Sequence, residues 1–257
     1  RRSSDLDNQI NGVDFVLPFR FSEGTWSLGT RGPVTLRIGE VVNLVTARNI
    51  TADLQGDYPW TEDNPLLLTN VKVETLGGKI TMQQLRMPQH DPALLRVDNI
   101  SSSELISAVN PKQFAMSGPV SGALPFWLDN EKWIIKDGWL TNPGPMTLRI
   151  DKDTADAIVK DNMVAGAAIN WLRYMEISRS WTRINLDNLG ELTMQATIKG
   201  TSRVDGKSSS VNLNYTHDEN VFTLWRSLRF GDNLQTWFEQ HAAIPGLRSS
   251  TGKESEE

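Results

Sequence analysis

The residues able to do chemistry are few and poorly spaced for it. The three histidines, His90, His217 and His241, stand far apart, with no second ligand at helical or hairpin spacing and no His-Glu-x-x-His, so no metal site is expected. Cysteine is absent, which removes thiol nucleophiles, disulfides and thiolate ligands together and leaves the redox compartment open. Gly118-Pro119-Val120-Ser121-Gly122 carries its serine fourth rather than at the centre, so it reads as a turn and not as a nucleophile elbow. Gly206-Lys207-Ser208 closes like a phosphate loop, yet the residue that should be the first glycine is Thr201. Asp151 and Asp153 stand at the start of an expected helix, where capping and the macrodipole explain them without catalysis. The triplets opening at Asn49, Asn99 and Asn214 fit a glycosylation acceptor, a pattern that arises readily by chance. No nucleophile, base and oxyanion donor come together, so the chain is expected not to be an enzyme and to need no cofactor.

What remains is a long run of apolar alternation, and the elements that must position it are strands. Gly32-Pro33-Val34-Thr35-Leu36-Arg37-Ile38 and Gly144-Pro145-Met146-Thr147-Leu148-Arg149-Ile150 agree at six of seven positions. Upstream of each lies Leu-Pro-Phe, at Leu17-Pro18-Phe19 and Leu124-Pro125-Phe126, with the second spacing five residues longer. A duplicated strand unit follows, and stacked β-units can grow in one direction without closing. Val34, Leu36 and Ile38 point one way while Thr35 and Arg37 point the other, and Val71-Lys72-Val73, Ile80-Thr81-Met82 and the segment 132–136 repeat the pattern. Gly77-Gly78 and Asp137-Gly138 are placed as hairpin connections. A short helix is expected over 102–109, capped by Ser102 and stopped by Asn110-Pro111.

Beyond Asp151 the period changes. Ile158, Val159, Ile169, Leu172 and Met175 form a stripe over a stretch whose one glycine is Gly166, which predicts a helix over 153–176 about 36 Å long at ~1.5 Å per residue. Three more strands are expected at 178–187, 191–199 and 209–217. Two short amphipathic helices are expected within 222–241, around Trp225, Trp237 and Phe238, serving as a lid or as a membrane-facing foot. The Gly, Ser, Lys and Glu content from Pro245 onward predicts disorder. The organisation expected is therefore a repeated β region over 1–150, a helix, meander and terminal helices of the same domain over 151–241, and a polar tail over 242–257.

Bulk composition narrows the partners. A net charge of 26 minus 31, or −5, with both signs interspersed, excludes the concentrated basic surface that nucleic acid requires. No run of apolar residues is long enough to span a membrane, and Arg1-Arg2-Ser3-Ser4-Asp5 does not open a signal peptide, so the chain reads as a piece of a longer protein. Nine tryptophans mean bulky core layers or a surface that meets something apolar.

Ser117-Gly118-Pro119-Val120-Ser121-Gly122-Ala123-Leu124-Pro125, Asp137-Gly138-Trp139-Leu140, Gly144-Pro145-Met146-Thr147-Leu148 and the terminal segment 220–232 together resemble the C-terminal region of the AsmA-like, bridge-like intermembrane phospholipid transport family, over most of the chain. The resemblance implies a periplasmic β-groove carrying phospholipid acyl chains, a parent protein anchored in the inner membrane and reaching the outer one, and a small outer-membrane lipoprotein of the YnbE type as partner. The fold expected is mainly β with a few helices: an elongated, curved antiparallel sheet forming an open U-shaped groove, with one long helix and short C-terminal helices. Val34, Leu36, Ile38, Val71, Val73, Ile80, Met82, Trp133, Ile135, Met146, Leu148 and Ile150 are the positions expected to face acyl chains, with a closed core beneath the 153–176 helix as the alternative. Val211, Leu213 and Tyr215 mark a strand that either ends the sheet and accepts the lipoprotein by strand addition or pairs internally. A carbohydrate-binding β module and a structural spacer of the envelope are the competing classes.

Overall fold

Period-two alternation delivers a single antiparallel sheet of fifteen strands. The computed structural model describes residues 9–42, 45–109, 114–153, 173–204 and 206–223. In chain order the elements are β1 (Gln9–Asp14), β2 (Phe19–Ser22), β3 (Thr25–Leu28), β4 (Val34–Val42), β5 (Thr46–Tyr58), β6 (Leu66–Thr75), β7 (Gly78–Met87) and β8 (Ala93–Ser101). Then follow α1 (Ser102–Val109), β9 (Phe114–Ser117), β10 (Pro119–Phe126), β11 (Trp133–Thr141), β12 (Met146–Ile150), β13 (Tyr174–Asp187), β14 (Glu191–Val204) and β15 (Lys207–Asn220). Every substantial contact between strands joins hydrogen-bonded neighbours, and α1 touches only β8 and β9 to any extent. Among the described residues no second sheet packs on the first, and no helix is long and apolar enough to cross a membrane.

The duplication seen in the sequence is a duplication of topology. Long β5 carries β3 and β4 end to end along one edge and β6 along the other. Long β13 carries β11 and β12 in the same way, with β14 opposite. β2 adds to β3 as β10 adds to β11, β1 adds to β4 as β9 adds to β12, and β7 follows β6 as β15 follows β14. The matching Gly-Pro strands are β4 and β12, and each opens on a buried residue, Val34 or Met146. β8 lies between β7 and β10 and joins the two copies.

Four polar residues inside strands adopt positive φ: Asn49 (49°), Asn70 (52°), Asn99 (51°) and Asp137 (55°). Each falls where the pairing register slips by one residue. Each is therefore the extra residue of a β-bulge, and Asn and Asp are the side chains that tolerate this conformation best after glycine. Asp137-Gly138 is accordingly no hairpin: it lies within β11, and the reversal expected there is a bulge. The connection at Gly77-Gly78 does reverse the chain, with Leu76 and Gly77 both at positive φ between the paired Thr75 and Gly78, as a two-residue hairpin requires.

α1 spans the residues expected, but its cap is Ser101, whose Oγ accepts from the Glu104 N–H at 3.3 Å. Ser102 instead donates its hydroxyl to the Gly118 carbonyl at 2.7 Å and is buried. The helix expected over 153–176 is not shown. Lys152 and Asp153 are helical, residues 154–172 lie outside those described, and Tyr174 to Glu176 already belong to β13, where Met175 is a core residue of the sheet. Of the stripe at Ile158, Val159, Ile169, Leu172 and Met175, Met175 alone is described, and it belongs to a strand. The helices expected within 222–241 and the polar tail also fall essentially outside the described residues.

Replacing Asn99 by Val forces a β-branched residue to a φ of 51°, and is expected to lower unfolding free energy by about 1–3 kcal/mol. Asn99→Gly should change it by less than about 1 kcal/mol. The urea midpoints of the two variants measure the difference.

Candidate functional site

Directly opposed residues in an antiparallel pair share a face, so the registers define which side chains meet. One row runs Val34, Leu54, Leu68, Leu85. The next runs Leu36, Ala52, then across the Asn70 bulge to Val71, Met82, Leu95 and Leu124. A third runs Ile38, Ile50, then across the Asn49 bulge to Val73, Ile80, Val97, Gly122, Leu140, Thr182, Ala196 and Tyr215, from β4 to β15. At Gly122 the row has no side chain because the backbone of β11 comes so near that an added Cβ would meet the Trp139 carbonyl.

This face is packed solid in two places and half-open between them. Met82, Leu85, Met87 and Ala93 form one buried cluster, against which Leu66, Leu68, Val71, Leu95, Trp60 and Phe126 lean. Met146, Met175, Ile177 and Val211 form the other, with Met116, Val120, Leu148, Ile198 and Leu213 around it. Of the positions expected to face acyl chains, Val34, Met82 and Met146 are 3–5% exposed and present little surface. Leu36, Ile38, Val71, Val73, Ile80, Ile135, Leu148 and Ile150 remain half-buried on strands of the same sheet. Trp133 lies at the margin, with the Lys132 and Lys136 ammoniums 4.8 and 4.4 Å from its ring centroid, so cations rather than apolar groups meet its ring.

Val211, Leu213 and Tyr215 lie on the same face as the second cluster, alternating with exposed Asn212 and Asn214. Among the described residues their strand is paired on one side only, to β14. The two readings of this strand thus coexist: its side chains belong to the apolar face, while a backbone edge is left over. On the same face the Tyr215 hydroxyl lies 3.0 Å from His217 Nδ1, and burial pushes the Tyr215 pKa up.

Sequence reasoning missed Ile50, Leu54, Leu68, Leu85, Leu95, Leu124, Leu140 and Ile177 as members of the face. The signal was a change of parity. Leu66 and Leu68 sit at even positions and Val71 and Val73 at odd ones, and an asparagine between such runs is the mark of a bulge that restores the face.

The opposite face is polar. Asp53 accepts from the Thr35 hydroxyl at 2.8 Å and from the Asn70 amide at 2.9 Å, tying β4 and the β6 bulge to β5. These hydrogen bonds, that from Asn70 first, hold the Asp53 carboxyl below its ordinary range. Glu74 is lowered likewise, mainly by the Asn49 amide at 2.7 Å. Two of the four bulge residues thus bond carboxylates on this wet side. Trp139 and Trp181 stack there at 5.0 Å and 9°, opposite Ala123 and Arg183 in register with Trp139. Among the described residues no group of histidines and carboxylates could hold a metal ion.

Comparison with known proteins comes to bear on this geometry. The profile of a family described as "YdbH-like: Intermembrane phospholipid transport protein YdbH" matches residues 3–243. A protein of Escherichia coli (strain K12) called "Probable phospholipid transport protein YdbH" is 78% identical over 251 residues, covering 98% of this chain and 29% of that protein. The chain therefore spans less than a third of the length of this relative. No solved structure matches it.

Two outcomes follow from the packing. Met175 is 0% exposed, and Met175→Ala is expected to cost about 2–5 kcal/mol, read from the denaturant midpoint. Because the folded Asp53 pKa is depressed, its contribution is present above the ordinary aspartate pKa and lost as pH falls through the folded value. The group is exposed, so the effect is well under about 1 kcal/mol. Asp53→Asn should make the acid limb of a stability-versus-pH curve shallower.

Proposed function

The chain belongs to the YdbH-like family, and from that membership we propose that it is one stretch of an envelope bridge along which phospholipids pass between the inner and outer membranes. The acyl chains travel on the apolar face, with headgroups toward water. The observation that carries this reading is the third cross-strand row, from Ile38 to Tyr215, which crosses both copies of the duplicated unit and stays apolar over most of its length.

A methylene in water costs about 0.8 kcal/mol, so drawing a dozen of them through the periplasm costs on the order of 10 kcal/mol. A continuous apolar face removes most of that barrier. Transport of this kind needs shallow, similar wells and no catalytic group, which suits side chains such as Leu36, Ile38, Val71, Val73, Ile80, Ile135, Leu148 and Ile150. Polar partners on the reverse, Thr35, Arg37, Thr147 and Arg149, keep the same strands wet outside. The place of action is the periplasm, with the parent protein held in the inner membrane. A small outer-membrane lipoprotein pairs with the free edge of β15, where backbone amides supply affinity and the alternation at Val211, Leu213 and Tyr215 supplies selectivity.

Photo-crosslinking amino acids at Leu36 and Leu148 are expected to give phospholipid adducts in cells, and the same probe at outward Thr35 and Arg149 none. Adducts absent at both inward positions, or equal at inward and outward ones, would remove the lipid reading. For the edge, Leu213→Pro is expected to abolish lipoprotein capture; capture undiminished in a folded variant would end the strand-addition proposal.

A further inference from the structure

The two copies of the unit differ sharply at one place. Counting back from the shared Leu-Pro-Phe, residues 15–18 correspond to 122–125. In the second copy that stretch lies inside β10, hydrogen-bonded to β8 on one side and β11 on the other. In the first copy 15–18 belong to no strand, among the described residues β2 pairs with β3 alone, and the Gly29 N–H to Pro18 carbonyl bond at 2.9 Å marks where inner pairing stops. Exposed apolar side chains gather at the same place: Val13 (53%), Phe15 (52%), Val16 (79%), Phe19 (58%) and Phe21 (56%). Ala123, the counterpart of Val16, is 8% exposed. Trp26 contacts the Phe19 and Phe21 rings at 5.3 and 4.7 Å, making the aromatic part of the patch continuous. Soluble proteins rarely leave an apolar sheet edge uncovered.

We propose that residues 15–19 seat an antiparallel strand supplied by the longer polypeptide, standing to them as β8 stands to β10. The relative of which this chain spans 29% has ample chain to supply it. The register carries over. Phe126 opposes Ala93 and Gly122 opposes Val97 in the second copy, so Phe19 and Phe15 oppose the corresponding residues of the incoming strand. That strand alternates as Ala93, Leu95 and Val97 do, with its apolar side continuing the rows already described. Residues 15–18 are then drawn into β-structure and β2 lengthens toward the span of β10.

A second copy of this chain fits less well. β15 occupies the place of β7, and in the intact joint β8 separates β7 from β10. Setting the β15 edge of one copy against 15–19 of another leaves that intermediate place empty, and the two strands would run parallel. The proposal is independent of lipid carriage and stands or falls on backbone protection alone.

Hydrogen–deuterium exchange on peptides covering 13–22 tests it. The comparison is between this chain alone and the intact Escherichia coli relative carrying this sequence in place of its own matching segment. Amides of 15–19 are expected to exchange on the order of 100-fold more slowly in the intact protein, while those of the β4–β5 pair are slow in both. Equal rates at 15–19 in the two proteins overturn the proposal. So does protection already present in the chain alone, whether constant on dilution, which assigns the cover to the chain's own residues, or rising with concentration, which assigns it to a second copy.

Discussion

A sheet with no second sheet packed behind it has little to correct an error of register, so the antiparallel ladder must itself decide which side chains meet. Because the side-chain period is two, a slip of one residue would turn a whole strand's apolar set to water. The ladder slips by one residue between β5 and β6, between β8 and β10 and between β11 and β13, whereas β14 and β15 pair over their whole length without a slip. The bulges at Asn49, Asn70, Asn99 and Asp137 take up that mismatch. Each inserts a residue, resets the alternation and leaves the apolar side chains on one face. The Asn70 amide on Asp53 and the Asn49 amide on Glu74 anchor two of the inserted residues from the wet side, so the polar face fixes the geometry on which the apolar face depends.

What could be read from the sequence was whatever depended on local alternation or on likeness between segments. The Gly-Pro strands at Val34 and Met146 occupy equivalent places in a duplicated topology, α1 forms over the expected residues, and Leu76-Gly77 reverses the chain. Pairing across long distances was not legible, because nothing in the alternation of Val34, Leu36 and Ile38 states that β4 and β3 share one edge of β5. The bulges were hidden for a related reason. An asparagine within a strand looks like a break, as Asp137-Gly138 looks like a hairpin, until the partner's register shows one residue too many. Met175 is the clearest case of a residue whose periodicity pointed to a helix and whose place is the floor of a sheet.

The apolar face is not uniform, and the difference bears on what can move along it. Where Met82, Leu85, Met87 and Ala93 pack, and again around Met175 and Ile177, the protein's own methionines and aliphatics fill the floor. Between them the half-buried valines, leucines and isoleucines retain surface that a hydrocarbon can cover. Methionine is the adaptable member of such a floor, because its unbranched side chain repacks at low cost. Under the proposed function, a face with a filled base and a greasy upper surface would bind any one acyl segment weakly. Weak, repeated binding is what lets a chain advance, since a deep well at any single row would hold its occupant there.

The duplicated unit also explains why such a sheet has no natural end. Each copy presents an edge at β2 or β10 and another at β7 or β15, and among the described residues β8, the strand that satisfies both within the molecule, has a counterpart in neither outer position. Repeating architectures stabilise each unit through its neighbours, so a terminal unit must be capped, paired or left apolar and exposed. At β15 the edge is lined by Lys207, Ser208, Ser209, Asn212 and Asn214, polar side chains that keep an unpaired strand in water. The stretch from Val13 to Phe21 is aromatic and aliphatic instead, and water is a poor partner for it. The two edges therefore differ in kind: β15 carries polar side chains, and the stretch from Val13 to Phe21 carries exposed apolar ones.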